Sequence, residues 1–177
     1  MLFAAVDSAG FKIVLSLHLV SAIIGFGGIF ILGFVGAASQ RHQGREGQAV
    51  FDTAQQFGTI AEYFIYAVPI FGIALLFMST TNGTHVYWWD QTWVSLSLLI
   101  YIATLGFVHA VLRPNLKRMG ALMAELNAGG PPPGGGSGPP PQVAELEARG
   151  KRAGVNGAIA NLAWVAIVIL MVWKPGL

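Results

Sequence analysis

Cysteine is absent from the 177 residues. That excludes disulfides, thiolate metal sites, thiol nucleophiles and covalent c-type haem attachment. Charge is scarce: ten Lys and Arg and eight Asp and Glu make up 10% of the chain, against about 25% in an average soluble domain. Hydrophobic residues make up 54%, so lipid rather than water is the expected solvent for most of the chain. Walker loops, dinucleotide fingerprints and HExxH are missing, as is any serine set beside a histidine and a carboxylate. The basic residues belong to no nucleic-acid module, so no nucleic-acid partner is expected. Proline is rare outside one stretch: six of the nine fall within 131–141.

Long apolar runs are what the chain has instead. From Ile13 to Ala38 the only titratable side chain is His18, and about 20 apolar residues cross a bilayer. The N-terminus lacks the basic region of a cleavable signal and the run behind it is too long for one, so this first helix is expected to be retained. Further spans are expected over 60–78, 93–112 and 153–173. The fold expected is all-α, a single membrane domain built as a four-transmembrane-helix bundle. His18, Ser21, Gly25 and Gly28 recur at steps of three, four and three, so they share one small, polar helix face. Such faces are where membrane helices touch, whereas Leu17, Val20, Ile24, Ile31 and Leu32 lie elsewhere.

Within the second span Pro69 predicts a kink. Asn82-Gly83 predicts a turn, and Tyr87, Trp88, Trp89 and Trp93 predict an interfacial aromatic belt. Arg113-Pro114 is expected to close the third span. A charged helical piece, NLKRMGALMAELN, precedes the Gly/Pro linker at 128–142, which cannot form a packed core. A second piece, VAELEARGKR, leads into the fourth span, and Gln48 to Phe57 reads as a lead-in to the second. Arg41, Arg45, Arg113, Lys117, Arg118, Arg149, Lys151 and Arg152 lie in two of the loops, with only Lys12 and Lys174 on the other side. That asymmetry predicts both basic loops in the cytoplasm and both termini outside.

Ionisable groups within spans face the bundle interior or a cavity. His18 reads as a haem or metal ligand or, preferably, as a neutral imidazole hydrogen-bonded between helices. Depth separates it from His109 by about 15 Å at 1.5 Å per residue, so the two do not form a bis-histidine haem site. Glu62, His109, Arg113 and Asn161 should meet near the cytoplasmic boundary. That cluster is a proton or anion site in one reading and a structural clamp in the other, which the sequence favours. His85 and Asp90 in the outer loop make a weak metal signal, and His42 reads as part of a solvated basic loop.

The stretch LHLVSAIIGFGGIFILGF, with its histidine after leucine and its Gly-Gly, resembles the first helix of the DUF2269 family of integral membrane proteins. RPNLKRM after the third span and the short fourth helix resemble that family too. The resemblance implies the fold and brings no activity. The opening helix is also similar to those of copper-resistance D-type membrane domains and of four-helix protoporphyrinogen oxidases. The latter would make His18 a haem ligand, but the tryptophan and lysine setting of that family is absent from the second span.

The function expected from the sequence is a small, non-enzymatic accessory or assembly subunit in a bacterial inner membrane. Its partners are the lipid bilayer and other membrane proteins, or a second copy, met through the His18/Ser21/Gly25/Gly28 face. No cofactor is expected on this reading. The alternatives are a haem-b or metal-binding redox protein using His18, and a small transporter or channel subunit with Pro69, Glu62 and His109 along its path.

Overall fold

The structure, a computed structural model, describes residues 6, 8–39, 42, 44–129 and 140–176. Its long helices are α1 (Ala9–Ser39), α2 (Gly44–Met78), α3 (Thr92–Phe107), α4 (Arg113–Ala128) and α5 (Pro141–Trp173). A π-helical turn, Val108–Leu112, joins α3 to α4 without a break. Four helices are therefore long and apolar enough to cross a membrane, the third being the continuous Thr92–Ala128. The four expected spans fall within them. Most of the Gly/Pro linker expected at 128–142 lies on 130–139, outside the described residues, as do residues 1–5 and Arg41.

The closest seam is between α1 and α2. A methyl group on Gly25 would sit 2.9 Å from the Ile65 backbone nitrogen, and one on Gly28 would sit 2.8 Å from the Ala61 Cβ. Only glycine allows the two backbones to lie this close, and close backbones are what van der Waals packing between helices in lipid requires. Ser21 is buried on the same face. That face, expected to meet another protein or a second copy, is thus covered by α2 of the same chain. The bulky residues of α1 point away: Ile23 is 71% exposed and Phe34 66%. Leu162 and Val172 of α5, each 70% exposed, are equally bare. Large apolar side chains outside and small ones inside reverse the soluble pattern, and suit a hydrocarbon surround.

The third span is not closed by Arg113-Pro114. Proline lacks an N–H and its ring crowds the carbonyl four residues back. The wide turn relieves this: the Arg113 N–H reaches the Val108 carbonyl, five residues back, and α4 continues. The pieces expected to lead into the second and fourth spans are continuous with them, as the first turns of α2 and α5. A helix of 35 residues is about 50 Å long and outreaches a hydrocarbon core of about 30 Å, so these ends project as a second layer.

That layer has its own small core. Leu122 is fully buried, with Met119 and Phe51 nearly so, and Gly120 leaves room for the Phe51 ring. Asn127 Nδ2 donates to Gln48 Oε1 at 2.6 Å, joining α4 to α2. Asn115 Nδ2 donates to the Arg149 carbonyl at 3.0 Å, while Arg149 Nη1 donates to Asn115 Oδ1 at 3.2 Å. Glu145 accepts from Arg149 Nε at 2.8 Å and from Arg118 Nε at 3.4 Å.

The opposite end carries the aromatic residues. Strands β1 (Thr80–Thr81) and β2 (Thr84–His85) pair antiparallel around Asn82 and Gly83, whose φ values of 51° and 84° suit a two-residue hairpin. Buried Ser79 pins the loop: its Oγ lies 2.7 Å from the Leu76 carbonyl oxygen and 2.8 Å from that of Tyr87, which compete for its one hydrogen, and it accepts from the Tyr87 N–H. The Val6 N–H reaches the Thr80 carbonyl, and Lys174 Nζ reaches the Tyr87 hydroxyl. Both ends of the described chain therefore lie at this aromatic end, opposite the basic one.

The Arg149 hydrogen bond, with Arg118 behind it, holds the Glu145 carboxyl below the usual carboxylate range despite some desolvation. A lowered folded value means that the contribution is present above the ordinary carboxylate pKa and is lost as pH falls through the folded one. Wild-type protein should melt above Glu145→Gln at pH 6, and the two melting temperatures should converge by pH 3.

Candidate functional site

Glu62 and Tyr66 are four residues apart, so they share one face of α2. The π-helical turn brings His109 and, just after it, Arg113 against that face; such turns recur at functional sites. Tyr66 donates its hydroxyl hydrogen to Glu62 Oε1 in a short bond. The same hydroxyl oxygen lies 2.8 Å from His109 Nε2, and Arg113 Nη1 donates to Glu62 Oε1 at 3.1 Å. His109 Nδ1 lies 3.4 Å from Arg113 Nη1. These contacts fix the roles. With its one hydrogen on Glu62, Tyr66 accepts from His109 Nε2–H, which leaves Nδ1 to accept from Arg113. The Tyr66 and His109 rings are near parallel, with centroids 6.2 Å apart.

Three of the four residues expected to cluster are thus brought together, and Tyr66 completes the group. The sequence held its signal, a tyrosine one turn beyond Glu62. Asn161 does not join the hydrogen bonds. It sits in the wall of a cavity of about 340 Å³ whose rim carries Glu62, His109 and Arg113. Asn161 Oδ1 and Trp164 Nε1, one turn apart on α5, are buried without a partner among the described residues, and Trp164 lines the same cavity.

His18 makes the interhelical bond the sequence favoured: its Nδ1 lies 2.9 Å from the Val68 carbonyl oxygen and donates to it. Gly72 leaves space for the ring, since a methyl group there would lie 3.2 Å from His18 Cε1. His18 lines a second cavity of about 220 Å³ at the aromatic end. Among the described residues no three His, Asp or Glu side chains converge for a metal. His85 stacks on Trp88 at 4.0 Å, and His42 pairs with Glu46 at 3.1 Å.

Between the cavities lies the main core. Phe26, Ile65, Val68, Tyr101, Trp164 and Ile167 form one buried cluster, with Phe26 and Trp164 stacked at 4.8 Å. Ile65 and Trp164 face the cavity at the basic end, while Val68, Tyr101 and Ile167 face the other. The layer coincides with the turn of α2 that ends at Pro69, within a helix that runs unbroken from Gly44 to Met78. Pro69 has no N–H to offer the Ile65 carbonyl, and the Tyr101 hydroxyl donates to that oxygen instead, at 3.1 Å.

Four helices long and apolar enough to cross a bilayer define a polytopic integral membrane protein. The chain belongs to the DUF2269 family, described as predicted integral membrane proteins, whose pattern matches residues 12–175. No curated protein and no solved structure matches it.

Tyr101→Phe should leave the Ile65 carbonyl without its hydroxyl donor. The expected loss is about 1 kcal/mol of stability, read from unfolding in mixed detergent micelles.

Proposed function

We propose that this protein forms a proton-linked path across a bacterial cytoplasmic membrane, as a small transporter or channel subunit. The observation that carries the reading is the stacking of two cavities along the bundle with one aromatic layer between them, the wall of one including Glu62, His109 and Arg113 of the hydrogen-bonded cluster. Carboxylate and histidine chains within membranes are the usual parts of proton relays. Pro69 leaves one backbone carbonyl of α2, that of Ile65, free to bond across to α3 near the middle of the span. In this reading Glu62 and His109 exchange protons with the cytoplasm and Tyr66 links them. The Phe26–Trp164 pair forms the barrier. An accessory or assembly role, the first expectation from size and composition, draws on neither cavity. Partners, on either reading, would meet the lipid-facing surfaces of Ile23, Phe34, Leu162 and Val172 rather than the glycine face of α1.

The basic end is assigned to the cytoplasm because Arg45, Lys117, Arg118, Arg149, Lys151 and Arg152 gather there. The chain has no cysteine, so single substitutions test this directly. In intact cells an impermeant maleimide should label Asn82→Cys and reach Arg45→Cys only after lysis; the reverse pattern overturns the assignment.

The path itself is tested with protons as the probe. Purified protein in liposomes holding a trapped pH dye should dissipate an imposed proton gradient faster than empty liposomes. Glu62→Gln should slow this by about tenfold or more. A wild-type rate equal to that of empty liposomes between about pH 5 and 8 ends the proposal, and a Glu62→Gln rate equal to wild type removes the cluster from it.

A further inference from the structure

The cavity at the aromatic end is the second half of the path proposed above, but it lies apart from the proton-exchanging cluster and holds polar groups that the path does not use. Two of them stand out. Ser97, 1% exposed, lies in its wall with an Oγ that has no hydrogen-bond partner among the described residues. A helical serine ordinarily bonds back to its own helix or to a neighbour, and an unpaired hydroxyl in a dry interior is costly. Lys174 also lines the cavity. Its Nζ sits 4.2 Å from the Tyr87 ring centre and 5.6 Å from that of Trp93. No carboxylate among the described residues pairs with it. Its backbone is left-handed, φ 44° and ψ 58°, a conformation in which helices commonly end.

The rest of the wall is mostly aliphatic, with Phe11, Trp89, Trp93 and Tyr101 as its aromatic part, and His18, whose Nδ1 is held by the Val68 carbonyl, as its other polar side chain. An apolar cavity of about 150 Å³ is enough for one benzene ring, so about 220 Å³ admits one ring with small substituents. Trp93 and Ser97 are one turn apart on α3, a rise of about 6 Å, and Lys174 lies over the Trp93 ring. The cation and the unpaired hydroxyl therefore both border the cavity, on either side of Trp93.

We propose that this cavity is a binding site for a single-ring aromatic acid. The anionic group faces Lys174, the ring packs among the aromatic side chains, and a hydrogen-bonding substituent at the far end of the ring meets Ser97. The site works at equilibrium and does not depend on whether the aromatic layer beneath it ever opens.

The probe is 4-hydroxybenzoate, titrated into the purified full-length protein in lipid nanodiscs and read by quenching of tryptophan fluorescence, since Trp89 and Trp93 line the cavity. Saturable quenching is expected. Lys174→Gln should weaken binding about tenfold, and Ser97→Ala should weaken it about fivefold. Benzoate, which lacks the far hydroxyl, should bind more weakly and be indifferent to Ser97→Ala. Benzyl alcohol, which lacks the charge, should be indifferent to Lys174→Gln. Melting curves of both variants show that they are folded. Quenching that rises without saturation, or equal affinities in wild type and both folded variants, means partition into lipid and overturns the proposal. Because no flux is measured, failure here leaves the proton path standing, and failure of the path leaves this site standing.

Discussion

In hydrocarbon a backbone carbonyl without a donor costs several kcal/mol, and Pro69 creates one at Ile65. Much of the bundle meets at this residue. The Tyr101 hydroxyl supplies the missing donor from α3. Gly25 of α1 lets the two backbones close on it, and Trp164 of α5 packs in the same cluster. Three helices thus converge on the one turn of α2 that cannot satisfy itself. The need for a partner fixes which face of α3 turns inward, and so where Ser97 and Thr104, on the same side of that helix, are buried.

Convergence at one level leaves room above and below it. The spans touch closely where side chains are small, and the aromatic layer fills the centre. Towards the basic end, Gly33, Gly58, Gly154 and Gly157 give too little bulk to fill the space, and the 340 Å³ cavity results. Towards the aromatic end, Gly72 and the Pro69 ring do the same beside His18. The ionisable cluster sits at the rim of the first cavity because the π-helical turn carries His109 and Arg113 onto the face of Glu62. One residue of extra helix, which accommodates Pro114, also sets the geometry of the polar site.

Much of this was legible from residue order. The small-residue face of α1 follows from spacing alone, and its tight contact with α2 follows from the absence of side chains. His18 was readable as an interhelical donor because a lone imidazole in lipid must find an acceptor. Glu62, His109 and Arg113 were readable as neighbours from their depth and spacing. Tyr66 was not singled out, because a tyrosine within a span is ordinarily read as packing and its hydroxyl shows its role only once His109 lies opposite. Asn161 was placed at the right depth but on the wrong partners, since depth does not fix the rotation of a helix about its axis. Pro114 was read as an end because a proline forbids an ordinary helical turn, and nothing local announces that a wider turn will be used instead.

The sequence by itself determined four crossings, the even parity that puts both termini together, the separation of the basic and aromatic ends, and the α1 face that packs. These follow from transfer energies and periodicity, which are local properties of the chain. The tertiary structure alone decided which carbonyl Tyr101 would reach and that the ends of α2, α4 and α5 form one layer beyond the membrane. It also decided that two cavities flank a single aromatic layer. Those depend on the rotation and relative height of helices distant in sequence, quantities set by packing between surfaces rather than by any segment alone.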